Sequence, residues 1–156
     1  MAPCCAMTPA LSPVDRLAWF AGDRDALDLY ERLVYVVHAW DDLVDQDRPA
    51  DVNEMVANLF LYMPANPVFR RFESELRTLF LTGMVGYMAA NLMERSGDDH
   101  KLELAHYLRY TIMNMVVFLI TALNGPRRAA EILADAATVM VPERLADYVK
   151  EHTDVA

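Results

Sequence analysis

The chain has 156 residues, 54% of them apolar, and a formal net charge of −9. That length suits one domain with a real hydrophobic core and is short for two, so we expect a mobile tail over residues 1–12 and a single helical-bundle domain over 13–156. The acid excess argues against a nucleic-acid partner, which needs a basic surface to displace counterions; the densest basic cluster, Arg70, Arg71 and Arg77, reads as a solvated helix face.

Along the chain, prolines and glycines fall where apolar periodicity stops, and the stretches between them favour helix. A first helix is expected with Ser12 as N-cap and Pro13 at its first position, running to Ala21 with Gly22 as its stop. Cys4 and Cys5 precede it. Adjacent cysteines cannot staple distant parts of a fold, which fits a reducing compartment. The start also lacks the basic and long apolar regions of a secretory signal. A cytoplasmic protein is the expectation.

The second helix should begin near Asp23 and continue through Asp45, and its all-apolar stretch 33–37 marks it as central. A third is expected over 51–62, stopped by the turn from Pro64 to Pro67. A long fourth helix should cover 67–95, ended by Ser96-Gly97; Gly83 and Gly86 inside it point to a close helix contact or a kink, with substrate clearance as the alternative. A fifth, capped by Asp98 or Asp99, should reach Asn124-Gly125. Its most apolar part, 110–123, is broken by Asn114 and Thr121 and is shorter than the roughly 20 residues that span a bilayer, so no transmembrane segment is expected. A sixth helix from Pro126 to before Pro142 and a last stretch over 143–152 complete an all-α, compact bundle of six to seven helices. The ten methionines read as pliable core. So apolar a short bundle should also leave one helix face uncovered, which predicts a homodimer.

One segment carries chemistry. In His38-Ala39-Trp40-Asp41-Asp42-Leu43-Val44-Asp45-Gln46-Asp47, 100° per residue puts Asp41, Asp42 and Asp45 on one helix face, with His38 one turn before them. Three ionised carboxylates about 6 Å apart repel by about 2–3 kcal/mol per pair at an effective dielectric near 20. A bound divalent cation turns that repulsion into attraction. Clustered carboxylates with no cysteine nearby select magnesium, or manganese, over zinc. With Trp40, Leu43 and Val44 among them, the acidic stripe is expected to open into a cleft within the bundle. His38 would then orient an aspartate or stand by as a core residue.

Asp41-Asp42-Leu43-Val44-Asp45 resembles the DDxxD motif of class I isoprenoid synthases, the prenyl diphosphate and terpene synthases, and its Leu-Val filling is similar to the squalene and phytoene synthase variant. The longer core His38-x-Trp40-Asp41-Asp42-Leu43-Val44-Asp45 also resembles that of short phage-encoded proteins. The resemblance implies an isoprenoid-synthase-like bundle whose aspartates bind magnesium ions that hold a diphosphate. It covers about ten residues, and those enzymes are about twice this length. Their second metal motif has no counterpart here. Asn114 comes closest, but Phe118 stands where a hydroxyl is required, and Asp98-Asp99 before Glu103 reads as a helix cap.

An up-down-up helix order supplies a different second half. It sets Asn91 and Glu94, below Tyr87, opposite the aspartates, and brings Glu103, His106, Tyr107, Arg109 and Tyr110 down from the fifth helix. A guanidinium so deep in apolar sequence needs a partner, so Arg109 should meet either the acidic cluster or a bound phosphate. The expected site thus has Asp41, Asp42 and Asp45 as metal ligands and Arg109 as the cation for a diphosphate. His38, Asn91, Glu94, Tyr107, Tyr110 and Asn114 would line it. The leading reading of function is magnesium-dependent binding, and cleavage or ionisation, of one diphosphate-bearing, prenyl-type substrate. An all-α nucleotide pyrophosphatase, which clusters acids at similar spacing, and a non-enzymatic helical interaction protein are the alternatives.

Overall fold

The computed structural model describes residues 13–46 and 48–153; the expected Ser12 cap, the two cysteines and Asp47 lie outside them. Among the described residues every regular element is helical. Helix α1 spans Pro13–Trp19, and Ala21 and Gly22 reverse the chain with positive φ. Helix α2, Arg24–Asp45, starts where the Asp23 side chain accepts from the amides of Asp25 and Ala26, and stops at a left-handed Gln46.

The third and fourth helices differ from expectation. Helix α3, Val52–Ala57, is not stopped at Tyr62: it widens into a π turn over Asn58–Tyr62 and continues as the short α4, Met63–Ala65. Proline lacks an amide and its ring collides with the carbonyl four residues back. Shifting the register so that Met63 N–H donates to Asn58 O relieves that collision at Pro64. The break comes at extended Asn66, which accepts from Val68 and Phe69 amides to start α5, Pro67–Arg71. Asn66 also donates to the Asp25 carbonyl on α2. Phe72, out of helical geometry, then separates α5 from α6, Glu73–Glu94, so the expected long helix is two.

The fifth helix is divided as well. Asp98 caps α7, Asp99–Arg109, through the Lys101 amide; a 3₁₀ turn, Tyr110–Met113, follows, and α8, Asn114–Asn124, completes the run. The tight turn coincides with the close approach of α6. A Cβ on Gly83 would lie 2.7 Å from Ile112 Cα, and one on Gly86 would collide with Thr111 Oγ1. The glycine pair therefore serves contact, not a kink. As one helical run, Asp99–Asn124 is long and apolar enough to cross a bilayer. In the bundle its Leu102, Ala105, Ile112, Met115, Val116, Leu119 and Ile120 are core. Helices α9, Pro126–Met140, and α10, Leu145–Thr153, close the chain.

Most buried side chains form one core around Phe20, Leu29, Leu33, Leu76, Met115, Leu119 and Ile120. Ala90, Ala105 and Tyr148 form a smaller one that seats α10 against α6 and α7. Helix α2 is less central than its apolar stretch suggests. Tyr35, Leu43 and Val44 are exposed, so its last turn lies at the surface and the aspartates open partly to solvent. Four methionines, Met55, Met63, Met115 and Met140, are core, whereas Met88 is exposed.

Candidate functional site

The site forms where the C-terminal ends of α2 and α6 meet the end of α7. Asp41 and Asp45 come one turn apart from α2, Tyr87 and Glu94 two turns apart from α6, and Arg109 is the last residue of α7. The guanidinium ties them together. Its Nη2 donates to Asp41 Oδ1 at 2.6 Å and to Asp45 Oδ2 at 3.2 Å, and its Nη1 donates to Glu94 Oε1 at 2.6 Å. The Tyr87 hydroxyl donates to Asp41 Oδ1 at 2.5 Å, and the Arg109 guanidinium carbon stands 5.1 Å from the Tyr87 ring centre.

Exposure grades the cluster. The side chains of Arg109 and Glu94 are 13% and 12% exposed, against 40% for both Asp41 and Asp45. The Arg109–Glu94 pair is a sheltered ion pair, while the aspartates form its solvent-facing rim. Burial pulls the Arg109 pKa down, but the Glu94 and Asp41 carboxylates outweigh burial and raise it. Tyr87 is raised by burial and by its bond to Asp41. The guanidinium thus stays charged and the phenol stays a donor.

Three contributors escaped the sequence reading. Tyr148 on α10, fully buried, donates its hydroxyl to Glu94 Oε1, and burial followed by this bond raises its pKa. His152 Nε2 lies 3.9 Å from the same oxygen. Glu143, whose carboxyl burial pushes up, accepts from the Tyr110 hydroxyl at 3.5 Å; burial and the Glu143 charge push Tyr110 up to about 12. The His106 ring packs between those of Tyr110 and Tyr148. Nothing local in 143–152 signals these roles, because they depend on α10 folding back over α7.

Asp41, Tyr87, Arg109, His38 and Tyr110 form part of the wall of a cavity of about 220 Å³, lined otherwise by apolar groups such as Val34, Val37, Ile112, Met113 and Val139. A neighbouring apolar cavity of about 190 Å³ shares Val37, Tyr87 and Ile112 with it and adds Trp40, whose Nε1 is buried without a partner among the described residues. Tyr107 and Asn114 sit elsewhere: with Tyr110 they line a separate depression between α7 and Val141. Asp42, half-buried, follows Asp41 on α2 but is not among the residues bonded to Arg109 or Tyr87 nor among those lining the cavity. Asn91 lies on α6 between Tyr87 and Glu94, and its Oδ1 is buried with no hydrogen-bond partner among the described residues.

Among the described residues no three His, Cys, Asp or Glu side chains gather into a metal cage. Magnesium does not require one, since it keeps several waters and is commonly held by one or two carboxylates plus phosphate oxygens. Asp41 and Asp45, the half-exposed carboxylates of the cluster, are the groups that could take that partial role. Both bonds to Asp41 arrive at Oδ1, and the Asn91 carbonyl oxygen is an orphaned acceptor near the same helix ends. No family model, curated protein or solved structure matches this chain.

Proposed function

We propose that this chain binds one small amphiphile, an apolar chain carrying a diphosphate-type head, with magnesium bridging the head to Asp41, Asp42 and Asp45. The observation that carries the reading is the cavity that joins apolar walls to the Asp41, Tyr87 and Arg109 cluster. Three carboxylates around one guanidinium leave the rim net negative, so a bare anion is repelled and a divalent cation makes its approach favourable. An incoming diphosphate also competes with the carboxylates for Arg109, whose fork geometry suits phosphate oxygens. About 220 Å³ is below the ~300–1,000 Å³ of common ligand pockets. That favours one short chain over two substrates. When bound, magnesium would act as a Lewis acid that stabilises a departing diphosphate.

A second reading is favoured by the engagement of Arg109 with Glu94, Asp41 and Asp45: the acids serve the fold, and the chain is a helical interaction protein. Thermal melts and titration calorimetry with magnesium, alone and with pyrophosphate, geranyl diphosphate or a nucleoside triphosphate, separate the readings. Magnesium with geranyl diphosphate at about 100 times its dissociation constant should add about 2.7 kcal/mol of stability. Asp42→Asn and Asp45→Asn should lower that gain. Binding of the triphosphate alone would favour a nucleotide pyrophosphatase, and no shift with any of them would favour the structural reading.

A further inference from the structure

Helix α6 is apolar on two opposite sides. Its inner side, Leu76, Gly83, Gly86, Tyr87 and Ala90, is buried. Its outer side carries Leu81, Val85, Met88 and Leu92, which are 64%, 58%, 58% and 70% exposed. A helix that is apolar all round is ordinarily enclosed. The outer residues follow one another at intervals of four, three and four, the spacing of a two-helix seam, and form a continuous stripe about 17 Å long at 1.5 Å per residue. That is more than the scattered apolar exposure of an ordinary surface.

We propose that this stripe is a homodimer interface in which α6 packs antiparallel on α6 of a second copy of the chain. The stripe is self-complementary about its own centre. A two-fold axis between Val85 and Met88 sets Val85 against Met88 and Leu81 against Leu92, and symmetry repeats each pair, as an isologous contact requires. The small side chains of Thr82 and Ala89 flank the seam and permit close approach. The charges at its ends agree as well. Glu75 and Arg95 are exposed and enter no ion pair among the described residues. In the antiparallel pair the Glu75 of one copy stands about one helical turn from the Arg95 of the other, within reach of the longer side chain. A parallel pair would instead set Glu75 against Glu75 and Arg95 against Arg95. The chain's net charge of −9 disfavours an anionic lipid surface as the occupant.

Sedimentation equilibrium of the full chain from about 1 to about 100 μM, a range set to capture micromolar affinities, tests this. The expected species is a dimer of the 17.7 kDa chain. Val85→Glu should give a monomer with unchanged far-ultraviolet circular dichroism; should it fail to fold, Leu92→Lys, at the most exposed position of the stripe, makes the same test. Glu75→Arg and Arg95→Glu should each raise the dimer dissociation constant about three- to tenfold, as expected for rim ion pairs, and their combination should restore it. A wild-type monomer throughout the range, or a dimer that survives both Val85→Glu and Leu92→Lys, overturns the interface. Charge reversals with no effect singly and no mutual rescue overturn the antiparallel pairing.

Discussion

Replacing Arg109 by Met tests whether the buried ion pair at the end of α7 holds this corner of the bundle together. Methionine keeps much of the apolar stem and removes the charge. Glu94, 12% exposed, is then left with the Tyr148 hydroxyl as its close donor. Breaking a buried pair by removing one partner costs roughly 3–5 kcal/mol, while the half-exposed aspartates, screened by water, add only about 0–1 kcal/mol each. Because Tyr148 still solvates Glu94, the expected loss is about 3–4 kcal/mol, a large part of the ~5–15 kcal/mol that a domain of this kind has in hand. Urea unfolding at pH 7 should show a lower midpoint at unchanged slope. Adding Glu94→Gln removes the stranded charge and keeps an acceptor for Tyr148, so the double variant should recover to within about 1–2 kcal/mol of wild type. A loss below about 1 kcal/mol in the single variant, or a double variant no more stable than the single, would refute the idea that charge burial governs this site.

Two further perturbations probe the scaffold. Gly83→Ala gains about 1 kcal/mol of helix propensity, but its Cβ would sit 2.7 Å from the Ile112 backbone, where overpacking costs about 1–3 kcal/mol; a net loss is expected in urea midpoints, and a gain would show that α6 and the 3₁₀ turn are not in close contact. Burial pushes the Glu143 carboxyl up from its ordinary value, so the folded state holds that proton more tightly than the unfolded chain. Its contribution is fully present below the ordinary carboxylate value and is lost as pH rises through the raised one. Glu143→Gln should therefore gain on the wild type between about pH 4 and neutrality, and parallel stability curves over that range would contradict the burial of this group.

Sequence alone determined what depends on a few neighbouring residues. The Asp23 and Asp98 caps, Pro67 and Pro126 at helix starts, and the chain reversal at Gly22 are local hydrogen-bond and φ requirements, and the fold obeys them. The one-faced spacing of Asp41 and Asp45 follows from helical pitch, and the need of Arg109 for a partner follows from its apolar surroundings; the structure supplies that partner in the aspartates and Glu94. What the sequence could not express is which distant surfaces meet. The break at Phe72, whose ring packs on Phe118, and the 3₁₀ turn at Tyr110–Met113 answer to neighbours far along the chain, above all the two glycines of α6 pressed against Ile112 and Thr111. Tyr148 and His152 reach Glu94 only because α10 docks on the small core of Ala90 and Ala105. Tertiary packing likewise decided that the last turn of α2 lies at the surface, since burial depends on what covers a helix and not on its own periodicity.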